Sequence, residues 1–156
     1  MRGYKALEKD LKNRYGFQYE FGKKYILNGE LKWSENGFHF CTRPEDTLRY
    51  VDSWNNNYQI VEVDGSGELQ LYEDEYYGYY DMYVSSEMEL LDYVSREELF
   101  NMVFDSNNIY RVQRLIQMIE LTKYEIKQIK EKYSILIPNI EYYQNKEMIL
   151  KLKNRN

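Results

Sequence analysis

Apolar and polar residues alternate with a period of two along much of residues 1–94, a pattern typical of half-buried β-strands. Clusters of Gly, Asn and Asp interrupt the alternation and predict turns, most clearly at Asn28 and Gly29 and at residues 64–67. The turn at 64–67 predicts a hairpin between the two strands that flank it. The predicted strands are residues 3–7, 16–22, 24–27, 31–33, 37–41, 58–63, 68–72, 80–84 and 88–93.

Helix signals occur once within the strand-rich region and repeatedly after it. Thr42 and Glu45 have the spacing of a capping box and predict one inserted helix, with Leu48 and Val51 on its apolar face. From Ser95 onwards the apolar residues recur at helical spacing. The first helix predicted there begins at Ser95 and includes Leu99 and Val103. The next two cover residues 109–119 and 122–133, the latter with a capping box of Thr122 and Glu125, and a weaker one covers 146–153.

These elements predict an α+β fold, in which a mostly antiparallel N-terminal sheet with one inserted helix is followed by a C-terminal helical segment. We predict a sheet domain over residues 1–94 and a helical appendage over residues 95–156, packed on the sheet or next to it. The apolar stripe of the helical tail fits self-association as well as packing on the sheet.

Charge is distributed unevenly along this chain of 156 residues, which has a formal net charge of -5. Residues 1–95 contain 10 Lys and Arg against 18 Asp and Glu, whereas residues 96–156 contain 11 against 8. The acidic first part disfavours binding to a nucleic-acid backbone. The sequence begins without the apolar core of a signal peptide and has no stretch long enough to span a bilayer, so we expect a cytoplasmic protein.

The single histidine, His39, and the single cysteine, Cys41, lie two residues apart on a predicted strand and therefore point to the same face. A zinc site needs about four ligands, and the sequence offers no further His or Cys. A nucleophilic cysteine needs a base placed to lower its pKa, which neighbours on one strand rarely provide. We therefore predict a structural strand, with no catalytic residue, no metal site and no cofactor.

Six tyrosines and four acids occupy residues 72–83, more aromatic rings than one half-buried strand would use. Exposed Tyr beside carboxylates is typical of surfaces that bind basic proteins. The pattern predicts either plain sheet packing or a binding surface. The predicted binding surface consists of Tyr72, Glu73, Asp74, Glu75, Tyr76, Tyr77, Tyr79 and Tyr80.

A series of short motifs is spread over residues 3–98. Its members are Tyr4-Lys5-Ala6, Gly16-Phe17-Gln18-Tyr19, Gly22-Lys23, Gly37-Phe38-His39-Phe40-Cys41, Pro44, Tyr50, Val63 and Gly67-Glu68. This series resembles a family of small phage and prophage proteins described only as a domain of unknown function. The resemblance implies a phage-linked origin and brings no catalytic residue with it.

A fainter resemblance is to the ADP-ribosyltransferase fold, which would imply an enzyme that binds NAD. Tyr4, Phe38, Phe40 and Tyr50 can be placed on that scheme. Lys5 and Ala6, however, replace the basic residue and glycine that hold the nicotinamide nucleotide in that fold. The catalytic glutamate implied by the resemblance would be Glu68, Glu87 or Glu89.

The leading hypothesis from the sequence is a non-catalytic protein of phage or prophage origin that binds a host protein. A basic nuclease of a host defence system is one candidate target for inhibition. Two alternatives stay open: an NAD-binding enzyme similar to ADP-ribosyltransferases, and a virion or scaffold component that assembles with itself.

Overall fold

Strands precede helices in the computed structural model, which describes residues 1–32, 35–51, 57–72 and 82–145. The described strands are β1 (Arg2–Glu8), β2 (Lys24–Ile26), β3 (Phe38–Cys41), β4 (Tyr58–Tyr72) and β5 (Met82–Val94). The described helices are the 3₁₀ helix Pro44–Tyr50, α1 (Arg96–Phe104), α2 (Ile109–Met118), α3 (Lys123–Lys132), the 3₁₀ helix Ser134–Leu136 and α4 (Ile137–Tyr143). The predicted α+β class, with a sheet first and helices last, is confirmed.

The five described strands form one sheet in the order β2-β5-β3-β1-β4, and every pairing between them is antiparallel. The long strand β4 pairs with β1 near its start and with β5 along most of its length. β1 also pairs with β3 where Tyr4 lies opposite Cys41, so the sheet curls and its pairings close on themselves. The curled sheet encloses a core of Leu7, Tyr19, Phe38, Phe40, Val61, Val63, Met88 and Leu90.

The predicted hairpin turn at residues 64–67 is wrong, because these residues lie inside β4 and most of them pair with β5. Gly67 has a φ of 73°, and the backbone N–H of Glu68 donates to Oγ of Ser86 at 2.8 Å, which forms a β-bulge. The glycines therefore bend a long strand instead of reversing it. Likewise, the strands predicted at 80–84 and 88–93 are parts of one strand, β5, within the described residues.

Residues 16–22 do not form the predicted strand. Only single bridges link this segment to others, Lys12 with Gln18 and Phe21 with Leu90, because positive φ values at Gly16 and Gly22 bend the backbone. Tyr19 is nevertheless buried and Phe21 packs against the core, whereas Phe17 is 44% exposed.

The predicted strand 31–33 is also wrong as far as the structure describes it, because β2 pairs with β5 instead of with a returning strand. Trp33 lies outside the described residues.

The inserted helix is a 3₁₀ helix without the predicted capping box. Its N-cap is Arg43, which makes no side-chain cap hydrogen bond, and Glu45 is fully buried. Leu48 and Val51 are buried, as the apolar pattern predicts. The capping box of Thr122 and Glu125 at the start of α3 is confirmed, with both reciprocal hydrogen bonds present.

The chain divides into two compact units, Met1–Arg96 and Glu97–Asn156. The second unit packs α2, α3 and α4 through apolar residues that come from each helix and from the short 3₁₀ helix. These buried residues include Val112, Leu115, Ile116, Ile129, Leu136 and Ile140. The predicted final helix, 146–153, lies outside the described residues.

Candidate functional site

Tyr72, the first residue of the predicted binding surface, lies at the far end of the β4–β5 hairpin. Tyr72 ends β4 and pairs with Met82, the first residue of β5, so residues 73–81 connect two strand ends that are held together. Of the eight residues predicted for this surface, Tyr72 is described, and Glu73 to Tyr80 lie outside the described residues. We use "hairpin end" for residues 67–72 of β4 and 82–85 of β5.

One face of the hairpin end continues the apolar core. Tyr83 pairs with Leu71 on one side and with Phe40 of β3 on the other, which aligns the three side chains in a row. The rings of Tyr83 and Phe40 stack with centroids 5.9 Å apart. Leu69 and Leu71 are 39% and 43% exposed, so this apolar row reaches the surface.

Tyr50, the last residue of the 3₁₀ helix Pro44–Tyr50, lies within electrostatic range of Tyr72. Burial, the proximity of Cys41 and smaller contributions from Asp46 and Tyr72 raise the pKa of Tyr50 to about 12. Tyr72, the described member of the predicted surface, is therefore close enough to Tyr50 to influence its ionisation.

Cys41 lies opposite Met82 and is buried, and its environment is unsuitable for a thiolate. Burial and the nearby carboxylate of Asp46 raise the pKa of the Cys41 thiol to about 12, although Lys5 and Arg49 act in the opposite direction. The thiol is therefore protonated at neutral pH, and thiolate chemistry requires the deprotonated form. His39 precedes it on β3, where its carbonyl oxygen accepts a hydrogen bond from Nζ of Lys5 at 2.7 Å.

Lys5 is the chemically unusual residue that the sequence reasoning missed. Burial of its amino group lowers the pKa of Lys5 to about 8, with a small opposing contribution from Cys41. The amino group also lies 6.0 Å from the centroid of the Tyr19 ring. A lysine between Tyr4 and Ala6 in a short apolar strand was the available sequence signal, but it does not reveal which face is covered.

Lys5 is expected to make stability depend on pH. Its pKa is lower in the folded protein, about 8, than its ordinary value of 10.5, so the unfolded chain binds more protons above pH 8. The free energy of unfolding should therefore rise by about 0.7 kcal/mol between about pH 7.5 and about pH 8.5. Urea titrations of the native protein and of Lys5→Met should show this increase in the native protein alone. An equal increase in both proteins would exclude Lys5 as its source.

The sequence that contains β4 and β5 is rich in acidic residues and has no basic residue. Residues 50–95 contain eleven Asp and Glu and no Lys or Arg. Cations from other strands pair with part of this charge, since Arg2 contacts Glu62 at 3.0 Å and Lys24 contacts Glu87. Among the described residues no cation forms an ion pair with Glu68, which accepts a hydrogen bond from Gln70 at 3.1 Å.

The resemblance to ADP-ribosyltransferases implies a catalytic glutamate among Glu68, Glu87 and Glu89. These three residues lie on β4 and β5. Glu87 is bound by Nζ of Lys24 and accepts a hydrogen bond from Ser66 at 3.1 Å, and these two contacts lower its pKa. Glu89 lies opposite Lys24 and Asp64 in the pairing of the strands. Glu87 is thus part of an ion pair that links β2 to β5.

Other features of the described residues suggest no separate chemical centre. They contain no cluster of three or more His, Cys, Asp or Glu able to hold a metal ion. In the second unit, an open depression of about 440 Å³ is lined by Phe104, Tyr124, Lys127, Gln128, Glu131 and Lys132. The structure has, over its described ranges, no helix with the length and hydropathy required to cross a membrane.

A family model described as "Domain of unknown function (DUF7666)" matches residues 1–101, about two thirds of the chain, which includes all five described strands. No curated protein and no solved structure matches the chain. Since the match covers more than half of the sequence, the chain belongs to the DUF7666 family of domains of unknown function.

Proposed function

We propose that this protein acts without catalysis, by binding a basic protein through the hairpin end and the tyrosine-rich segment that follows Tyr72. The observation that carries this proposal is the absence of Lys and Arg from residues 50–95, where eleven acids occur. A surface of one sign attracts partners of the opposite sign and increases their rate of association. Tyr supplies contact area at little cost in side-chain entropy.

The fold supports this proposal by fixing the two ends of the segment. Tyr72 and Met82 pair at the end of the hairpin, and the strands behind them are anchored to β3 and to the buried ring of Phe40. A segment whose ends are held in this way loses less conformational entropy on binding than a free chain does. The hairpin end is therefore a suitable support for a recognition segment.

The partner that fits the proposal is a host protein with a basic surface, met in the cytoplasm. The resemblance of residues 3–98 to phage and prophage proteins supports such a setting. Nucleases carry basic surfaces because they bind phosphate backbones, so a nuclease of a host defence system is a candidate target. An acidic surface that covers such a site would inhibit the nuclease by excluding its substrate.

Removing three tyrosines of the segment is expected to abolish partner binding. In a pull-down from host lysate, Tyr76→Ala/Tyr77→Ala/Tyr79→Ala should lose the partner that the native protein captures. The matched control, Tyr124→Ala/Tyr142→Ala, removes two tyrosines that are 70% and 65% exposed in the helical unit, and it should retain that partner. With the purified partner, calorimetry should show binding at least about tenfold weaker for the triple variant.

A charge variant tests the electrostatic part of the proposal. Glu73→Gln/Asp74→Asn/Glu75→Gln should weaken binding, and raising the salt concentration should affect the native protein more than this variant. An unchanged partner list for both variants would contradict the proposal. Saturable binding of NAD in calorimetry would instead favour the enzyme interpretation, and stable self-assembly in sedimentation experiments would favour a virion or scaffold role.

A further inference from the structure

Over the ranges that the structure describes, β4 has an open edge near the hairpin end. β1 covers this edge only as far as Arg2, which pairs with Asp64. From Gly67 to Leu71, no described strand pairs with the edge of β4 that faces β1 earlier in the strand. The other edge of β4 pairs with β5 over Leu69–Leu71. Open edges present backbone donors and acceptors to which another strand can add.

The direction of the backbone groups on this edge follows from the bulge. The N–H of Glu68 points toward β5, because it donates to Oγ of Ser86 at 2.8 Å. Backbone groups alternate in direction along a strand, so the N–H and C=O groups of Leu69 and Leu71 point away from β5. These two residues therefore present four hydrogen-bonding groups to the open edge.

Side chains at the edge favour an apolar residue on the added strand. Leu71 extends the row formed by Phe40 and Tyr83, and Leu69 lies two residues before it on the same face. Both leucines remain more than a third exposed. An added strand would cover them with alternate side chains, which is how strand addition gains specificity.

Charge distinguishes between two occupants of this edge. A second copy of the chain, paired antiparallel about Gln70, would bring Glu68 opposite Tyr72 of that copy, next in sequence to three acids. Such pairing places like charges together and is disfavoured. A strand that carries Lys or Arg would instead be attracted by the cation-free stretch of residues 50–95.

We propose that the partner contributes an extended segment, with alternating apolar and basic residues, that adds as a strand to the edge Gly67–Leu71 of β4. This inference rests on the proposed function and specifies how the basic partner is recognised. Backbone hydrogen bonds to Leu69 and Leu71 hold the segment, and its apolar side chains cover the two leucines. Its cations face the acids of the hairpin.

The experiment uses the full-length protein and a fluorescent peptide of alternating Lys and Val. Fluorescence anisotropy should show saturable binding, and amide exchange measured by NMR should show new protection of the Leu69 and Leu71 amides. A peptide N-methylated at alternate residues keeps its charge and apolar groups but loses the donors of one edge. It should bind at least about tenfold more weakly.

Two protein variants complete the test. Leu69→Thr/Leu71→Thr removes apolar area without adding charge and should weaken peptide binding about tenfold. The control is Ile26→Thr, a residue 69% exposed on the edge strand β2, and it should leave binding unchanged. Equal binding of the methylated peptide, or equal binding by the leucine variant, would overturn strand addition.

The outcomes also separate this inference from the proposed function. A host partner that is lost by the triple tyrosine variant but retained by Leu69→Thr/Leu71→Thr would support the proposed function and overturn strand addition. If the native protein dimerises in sedimentation experiments and the leucine variant does not, the edge pairs two copies, and the inference is wrong. Loss of the partner from both variants would support both.

Discussion

Gly65→Ala is expected to lower the free energy of unfolding by about 2–3 kcal/mol, because the new methyl group would overlap the ring of Phe40. That ring is 2% exposed and stacks on Tyr83, which limits its movement. A Cβ on Gly3 of the neighbouring strand β1 would also overlap it, so the ring occupies space that glycine leaves free on two paired strands. Urea unfolding followed by circular dichroism measures the effect.

A double-mutant cycle identifies the overlap as the cause. Phe40→Leu replaces the ring with a smaller side chain, so it should relieve part of the cost of Gly65→Ala. The double variant should therefore lose less stability than the sum of the losses in the two single variants. The control is Gly22→Ala, at a glycine with a φ of 70° and no atom near its Cβ position. Its cost should be about 1 kcal/mol and should not change in the Phe40→Leu background. Additive effects for Gly65→Ala and Phe40→Leu would contradict the proposed overlap.

The role of Gly65 shows why the sequence predicted a turn where the structure has a strand. Locally, residues 64–67 read as a hairpin turn, since Asp and Gly dominate them. Within the fold, Gly65 leaves room for Phe40, a residue 25 positions earlier, and Gly67 forms the bulge against Ser86. Alternation correctly predicted strands over most of β4 and β5, but these reasons for glycine depend on contacts distant in sequence.

The candidate site, too, could be predicted only in part from the sequence. Composition alone was sufficient to single out the acidic tyrosine-rich segment, because its excess of Tyr and acids is local. The open edge of β4 could not be predicted, since it depends on where the pairing of β1 with β4 stops, and the paired residues are 50 to 62 positions apart in the sequence. The lowered pKa of Lys5 likewise requires knowledge of what covers β1. The composition of the candidate segment could be read from the sequence, whereas the order of the strands in the sheet could not.

Gln144→Ala is expected to destabilise the helical unit by about 2–3 kcal/mol. Its side-chain amide makes three hydrogen bonds to the backbone at the end of α2 and the residues after it. Nε2 donates to the carbonyl oxygens of Ile116 at 2.6 Å and Ile119 at 2.9 Å, and Oε1 accepts from the N–H of Leu121 at 2.9 Å. All three of these residues are buried, so water would replace the lost partners poorly.

The variant Gln117→Ala serves as the matched control, because Gln117 is an exposed residue of α2 and alanine favours helix formation. It should leave stability within about 0.5 kcal/mol of the native value. Amide exchange gives the decisive measurement, since Gln144→Ala should lower protection of residues 116–121, where the three hydrogen bonds end. Unchanged protection there would mean that the packing of Ile116, Leu136 and Ile140 holds α2 against α4 without the amide. Gln144 connects the end of α4 to the end of α2 and the residues that follow it, so we expect the loss to extend to both helices.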